Sequence, residues 1–401
     1  MTHVPLCTPL PVSTPVAPGR DAPFIVLAAG GTGGHVFPAE ALAAALEARG
    51  CRLALVTDRR GQGHGGATLG GVLGRLTTHR VQAGGIAGRG LTGRVVGLAR
   101  LIVGAGQAWR LLRRLRPDVV VGFGGYAAFG PTLAASLLGL PTVIHEQNAV
   151  LGRANRLLAG RARMVATALP TVRHLPAGKG RHVGNPVRPA TLEARAVPYD
   201  PPAPDGPVRL LVTGGSQGAR ALSDLVPVAL AALPETLRAR LSVAQQCRPE
   251  DLDRARATYA AAGIAAETAA FFDDIPARLA AAHLVLCRAG ASTVAELTCA
   301  GRPAVLIPFP FAVDDHQTAN ARALDEAGAA WLMPQGTLTP DTLSARLAAL
   351  LGDADGLAAT AARARALGRP DAAERLAALT LALADPPDGP TDHVLPRETT
   401  A

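Results

Sequence analysis

The sequence predicts an α/β protein made of two parallel-sheet, Rossmann-like domains that face each other across a cleft. Three observations carry this. The chain has 401 residues, and at about 150 residues per domain that length suggests two or three domains. Short apolar runs bounded by glycine alternate along it with helical stretches, the signature of parallel strands buried on both faces. One strand–turn–helix unit also occurs twice. Phe24-Ile-Val-Leu-Ala-Ala-Gly-Gly-Thr-Gly-Gly-His35 precedes the helical run Ala39–Arg49, and Val208-Arg-Leu-Leu-Val-Thr-Gly-Gly-Ser-Gln-Gly-Ala-Arg220 precedes Ala221–Leu233.

The first half continues with strands at Arg52–Thr57, Val119–Phe123, Thr142–His145 and Met164–Ala168, and a long basic helix at Leu91–Arg116. The second continues with strands at Leu241–Gln246, Leu284–Cys287 and Ala304–Pro308 and late helices at Asp341–Leu350 and Asp371–Leu383. Such alternation favours doubly wound sheets. The expected domains are residues 23–185 and 208–366, joined by a Pro-rich linker at 186–207 and followed by a C-terminal helix at 367–384. Residues 1–22 and 385–401 read as a disordered leader and tail. Two such sheets place a ligand cleft between their strand C-terminal ends.

Composition narrows the class. Hydrophobic residues are 48% and charged residues 18%, enough for a sizeable core, while aromatics are only 3%. Lys+Arg total 40 against Asp+Glu 31, for a net charge of +9, and Lys179 is the single lysine. The five cysteines are odd in number and widely spaced, so neither disulfides nor a zinc site is expected. The leader lacks a basic start and an unbroken apolar stretch, unlike a secretory signal. Val119–Ile144 carries no charge over a bilayer-spanning length, but its Gly and Pro punctuation cuts it into strand, turn, helix and strand.

Gly30-Gly31-Thr32-Gly33-Gly34-His35 stands at a strand-to-helix turn, where glycines admit close backbone approach and the helix N-terminus favours an anion. It departs from G-x-G-x-x-G because Val36 replaces the third glycine. Gly214-Gly215-Ser216-Gln217-Gly218 is a second such turn, and Ser216 can donate to a phosphate. A third is Arg288-Ala-Gly-Ala-Ser-Thr-Val-Ala-Glu296, where Ser292 or Thr293 suits an N-cap and Glu296 suits either a capping box or a ribose diol. His145-Glu146-Gln147-Asn148 and the run from Pro308 to Asn320 gather groups that fit sugar hydroxyls. Asp273-Asp274 and Asp314-Asp315 read as solvated loop acids rather than metal ligands. The first turn with Asp58 also fits a nicotinamide-dependent oxidoreductase. The arginine load fits a nucleic-acid binder, but no RNA or DNA motif accompanies it.

Together GGTGGHVFP (Gly30–Pro38), GFGGY (Gly122–Tyr126), HEQN (His145–Asn148), GNPVR (Gly184–Arg188), GGSQGAR (Gly214–Arg220), FFDD (Phe271–Asp274), Arg288–Glu296 and Asp314–Asn320 resemble the MurG family of peptidoglycan glycosyltransferases, in the same order. The resemblance implies a GT-B fold. It implies transfer of N-acetylglucosamine (GlcNAc) from UDP-GlcNAc to the muramyl C4 hydroxyl of lipid I, giving lipid II and UDP, at the cytoplasmic side of the cell membrane as a peripheral protein. It implies a donor site of Thr32, Gly33, Gly34, Asn148, Arg188, Ser216 and Phe272 (near uracil), then Ala291, Ser292, Thr293, Val294, Ala295 and Glu296 (on ribose), and Gln317 (on GlcNAc hydroxyls).

The chemistry is an inverting displacement. Helix N-terminal amides and Ser216 suffice for the leaving group, so no metal and no cofactor is expected. His35 is the expected general base, with His145 and Glu146 next. Arg110, Arg113 and Arg114 are the expected contacts to an anionic membrane surface, on a helix basic on one side and apolar on the other, with Ile86 and Leu91 in an exposed lip. No nucleic-acid partner is expected.

Overall fold

The computed structural model describes residues 22–30, 33–58, 71–84, 91–215 and 218–385. Almost all of the expected leader and tail, with Thr32, Ser216 and Ile86, lie outside the described residues, as does the side chain of Leu91.

The first sheet uses β1 (Phe24–Ala28), β2 (Arg52–Asp58), β3 (Thr77–Val81), β4 (Val119–Gly122), β5 (Thr142–Glu146), β6 (Met164–Thr167) and β7 (Gly180–His182). Their spatial order is β3-β2-β1-β4-β5-β6-β7, and every pairing is parallel. The helices are α1 (Gly33–Glu47), α2 (Gly71–Arg75), α3 (Leu91–Leu115), α4 (Gly125–Leu137), α5 (Arg153–Ala159) and α6 (Pro189–Ala196).

The second sheet uses β8 (Val208–Thr213), β9 (Leu241–Gln246), β10 (Ala265–Ala269), β11 (Leu284–Cys287), β12 (Ala304–Leu306) and β13 (Trp331–Leu332), ordered β10-β9-β8-β11-β12-β13 and again parallel throughout. Its helices are α7 (Arg220–Ala231), α8 (Glu235–Arg238), α9 (Leu252–Ala261), α10 (Ile275–Ala281), α11 (Ala291–Ala300), α12 (His316–Glu326), α13 (Pro340–Leu351), α14 (Ala354–Leu367) and α15 (Ala372–Ala384).

The buried apolar strands are those the sequence shows. β1, β4, β8 and β11 carry Ile25, Leu27, Val119, Val121, Leu210, Val212, Leu284 and Leu286, all at 2% exposure or less. The strands that escape sequence reading are β3, β7, β10 and β13. All four are short, polar or partly exposed, and lie at sheet edges, so they lack the doubly buried pattern. Both sheets reverse strand order beside their first strand, between β1 and β4 and between β8 and β11. Crevices for ligands open at such switch points.

The stretch read as a bare linker contains α6, which packs against α10 and α11 and buries Ala194 in the second domain's core. The last helix, α15, crosses back to the first domain. Its Leu376 and Ala377 join Ile25, Leu27 and Leu42 in one cluster, and Glu374 pairs with Arg49 of α1.

Helix α3 packs on α4 and on the first sheet, to whose core it contributes Ala108 and Leu112, and it buries Leu101 as well. At Gly104 a Cβ would stand 1.8 Å from the Gln82 carbonyl oxygen, so only glycine admits this approach. The rest of its apolar set turns outward. Val95 is 63% exposed, Ile102 65%, and Val96, Leu98 and Val103 about half. Residues Val95–Leu115 form the one helical stretch, among the described residues, long and apolar enough by composition to cross a bilayer.

Candidate active site

His35 sits in the first turn of α1, directly after the Gly-rich turn that leaves β1. Its ring rests on Gly124 and Gly125, whose φ of 80° and 70° lie in the left-handed region. A Cβ on Gly125 would stand 3.2 Å from the ring, so the glycine makes room for the imidazole. The Nδ1 of His35 is enclosed and has no hydrogen-bond partner among the described residues. Burial pushes the imidazole below its ordinary value of 6.5. The Glu146 carboxylate, the Phe123 carbonyl and Gln147 oppose this less strongly, while His316 across the cleft adds to it. The ring is therefore neutral at pH 7 and able to accept a proton.

The two other base candidates are internal. His145 is fully buried, contacts the Gly184 carbonyl through Nε2 at 3.1 Å and meets Gln147 at Nδ1, 3.2 Å away. Burial lowers its pKa to about 4. Glu146, 1% exposed, accepts four hydrogen bonds: from the Asn148 N–H (3.0 Å) and Nδ2 (3.2 Å), the Gly152 N–H (2.8 Å) and Asn155 Nδ2 (2.8 Å). It organises the loop after β5.

Asn148 is half-buried, and its amide is engaged on both sides. Nδ2 donates to Glu146, and Oδ1 accepts from Asn320 Nδ2 at 3.1 Å. Asn320, fully buried on α12, also donates to the Ala289 carbonyl (3.1 Å) and accepts from the Ala149 N–H (2.8 Å). This residue ties the two domains at the cleft floor. The sequence places it in the Asp314–Asn320 run, but only the fold shows its partners.

Arg188, the N-cap residue of α6, donates to Glu296 Oε1 from Nη2 (3.0 Å) and Nε (3.2 Å), and its guanidinium lies 5.0 Å from the Phe37 ring centroid of α1. One side chain thus touches α1 and α11 from the segment between the domains. Burial raises the Glu296 carboxyl, and Arg188 offsets part of that rise.

Several expected donor contacts change in detail. The N-cap of α11 is Gly290, with no side-chain cap from Ser292 or Thr293. Ser292 Oγ is enclosed without a partner among the described residues. Ala291, Ser292, Thr293 and Ala295 line the helix start half-buried. Val294 is a core residue at 4% exposure, and its N–H closes on the Gly290 carbonyl. Phe272 is buried, 4.0 Å beneath the Arg278 guanidinium, whereas Phe271 is 66% exposed. Gln317 is half-buried, and its Oε1 accepts from the Phe309 N–H at 2.9 Å. Gly33 and Gly34 open α1 beside His35.

Asp314 is no free loop acid. It accepts from Arg153 Nη2 (2.8 Å) and Arg156 Nη2 (2.7 Å), both on α5 of the opposite domain. Asp314 and Asp315 both hold left-handed backbone, at φ 51° and 52°. Asp274 pairs with Arg278 at 2.7 Å. Asp58 is buried at 2% exposure, which removes it as an accessible ribose ligand for a nicotinamide cofactor. At the inner end of the cleft lies a cavity of about 310 Å³, lined by residues of both domains including Gln147, Asn185, Ala291 and Asn320. Among the described residues, no three His, Cys, Asp or Glu side chains converge as a metal site. Arg110, Arg113 and Arg114 are exposed on α3, with Arg113 4.7 Å over the Trp109 ring.

Comparisons with known proteins agree with this architecture. Residues 25–167 match the glycosyltransferase family 28 N-terminal domain, and residues 209–376 match the family 28 C-terminal domain. A Rhodospirillum rubrum protein named UDP-N-acetylglucosamine–N-acetylmuramyl-(pentapeptide) pyrophosphoryl-undecaprenol N-acetylglucosamine transferase is 58% identical over 91% of this chain and 93% of its own length. A protein of the same name from Paramagnetospirillum magneticum is 57% identical over 90% and 97%. The crystal structure of Acinetobacter baumannii MurG superposes with a TM-score of 0.73 at 33% identity, covering 90% of this chain and 99% of that one.

Proposed function

The chain belongs to the MurG group of glycosyltransferase family 28, and from this premise we propose that it transfers GlcNAc from UDP-GlcNAc to N-acetylmuramyl-(pentapeptide) pyrophosphoryl-undecaprenol, lipid I, to give lipid II and UDP. The observation that carries the reading is the cleft itself. The two switch-point crevices face each other, with neutral His35 on one wall and the Arg188–Glu296 pair on the other.

The acceptor C4 hydroxyl attacks the anomeric carbon of GlcNAc from the face opposite the diphosphate. The new C–O bond forms as the bond to the β-phosphate oxygen breaks, and its electron pair leaves with UDP. His35 takes the hydroxyl proton. The Gly33–Gly34 turn, Asn148, the first turn of α11 and Gln317 hold the donor, with Thr32 and Ser216 completing it. Glu296 receives the ribose diol through Oε2, since Arg188 occupies Oε1. The N-terminal amides of α7 and α11 face the departing charge without reorganising.

The acceptor is membrane-linked, and the α3 surface is where this chain meets the membrane. Its outward Val95, Leu98 and Ile102 lie on the same helix as exposed Arg110, Arg113 and Arg114. That combination suits the interface of an anionic bilayer and a peripheral, cytoplasmic-side position.

The test is transfer of labelled GlcNAc from UDP-GlcNAc to a short-chain lipid I analogue; absence of labelled product overturns the reading. Thermal shifts separate the other classes, because UDP and UDP-GlcNAc stabilise a transferase whereas NAD(H) and oligonucleotides do not.

A further inference from the structure

We infer that Arg248 is a donor-binding residue, whose guanidinium contacts the diphosphate of the nucleotide sugar and stabilises the charge that UDP carries away. The inference rests on the transferase reading above and adds a contact to its leaving group.

Arg248 follows β9, which neighbours β8 in the sheet, so it reaches the C-terminal edge beside the turn from β8 into α7. It packs directly on that turn. A Cβ on Gly218 would stand 3.0 Å from Arg248 Cγ and 3.4 Å from its backbone nitrogen. Gly218 has φ +66°, and its N–H closes back on the Gly215 carbonyl at 2.9 Å, so the residue under Arg248 is one whose backbone favours glycine.

The Nε of Arg248 is enclosed and has no partner among the described residues. The acid paired with it, Glu250, stands 3.9 Å from Nη1 and is itself mostly exposed. The neighbouring arginines are committed elsewhere. Arg188 is bound to Glu296, Arg220 to Asp224, and Arg278 to Glu267 and Asp274. Arg288 is spent on the Ile307 and Pro308 carbonyls and on Gln335. Among these residues Arg248 is the cation whose charge is least matched, and it packs on Gly218, where the chain from β8 enters α7. Guanidinium binds phosphate oxygens in a planar fork. In the transfer step the anomeric C–O bond breaks and its electron pair stays on the β-phosphate, so a fixed cation there acts most strongly as the bond breaks.

The experiment compares the full chain with R248A, R248Q and R248K for binding of UDP and of uridine, and for steady-state transfer. R248Q retains the methylenes that pack on Gly218, and melting temperature without nucleotide reports folding. The expected result is about tenfold weaker UDP binding in R248A and R248Q, unchanged uridine binding, partial recovery in R248K and a lowered kcat. Unchanged UDP affinity in R248Q, or equal losses for UDP and uridine, overturns the inference. The two readings fail separately. A wild-type chain that binds UDP through Arg248 but transfers no GlcNAc sinks the transferase reading alone, and an active chain indifferent to Arg248 sinks this one alone.

Discussion

Arg188 places two nitrogens on one oxygen of Glu296, at 3.0 and 3.2 Å, and leaves Oε2 of that carboxylate outside the pair. The pair is partly shielded, with Glu296 at 16% side-chain exposure and Arg188 at 34%. Its geometry turns a buried acid into an oriented acceptor.

Glu296→Ala should therefore weaken UDP binding by about tenfold to a hundredfold, the range for lost hydrogen bonds to a charged group. Binding of a UDP analogue with a 2′,3′-dideoxyribose should hardly change, because it has no diol to lose. Arg188→Ala should give the same pattern more weakly, since the carboxylate then loses its orientation. Calorimetric titrations that show equal losses for both nucleotides would remove the diol contact.

His35→Ala should lower kcat by about 10²–10⁴ while UDP affinity holds. Burial depresses the pKa of His35, so the base is protonated only below the ordinary 6.5. The acid limb of the kcat/KM profile should lie below that value and vanish in His35→Ala. An unchanged limb in the variant would assign it to another group.

Stability should also fall on acidification. The imidazoles of His145 and His283 are both held at about 4, chiefly by burial. The unfolded chain takes up these protons near 6.5, but the folded chain does so only near 4, so stability is lost as pH falls through that window. Urea titrations at successive pH values should show the loss. His145→Gln should flatten part of the slope while costing packing at neutral pH. An equally steep slope in the variant would place the titration elsewhere.

Asp314→Ala should loosen the domains, because it removes the acceptor of both Arg153 and Arg156 from α5. The pairs are partly exposed, so 1 M salt should produce a similar effect in the wild type. A fluorescent distance pair across the cleft should report a broader distribution. A distribution identical to wild type would show that Asn320 and Arg188 hold the domains without the clasp.

The sequence displays the fold's centre better than its rim. β1, β4, β8 and β11 are apolar on both faces and bounded by glycine, so they can be read directly. β3 and β10 are edge strands without a doubly buried apolar run, although each pairs with the strand just before it in sequence. At the site, the Gly-rich turn and His35 are legible because glycine spacing encodes local backbone shape. Long-range relations are not encoded locally. Arg188 and Glu296 are 108 residues apart, and Asn148 finds Asn320 only when two domains meet. Nor do two adjacent phenylalanines show that Arg278 covers Phe272 while Phe271 stays exposed.

The membrane face gives the last prediction. Helix α3 buries Leu101, Ala108 and Leu112 against the first domain and turns Val95, Leu98, Ile102 and Val103 to solvent, an arrangement with a clear cost unless something covers it. Exposed arginines at its C-terminal end can each contribute on the order of 1 kcal/mol near an anionic surface. Apolar insertion and charge attraction respond differently to salt, so the two contributions can be separated. Binding to phosphatidylglycerol-containing vesicles should fall with salt, and Arg110, Arg113 and Arg114→Glu together should remove the salt-sensitive part. Val95→Asp with Ile102→Asp should remove the remainder while UDP binding in solution persists. Vesicle binding that survives both sets unchanged would move the membrane face off α3.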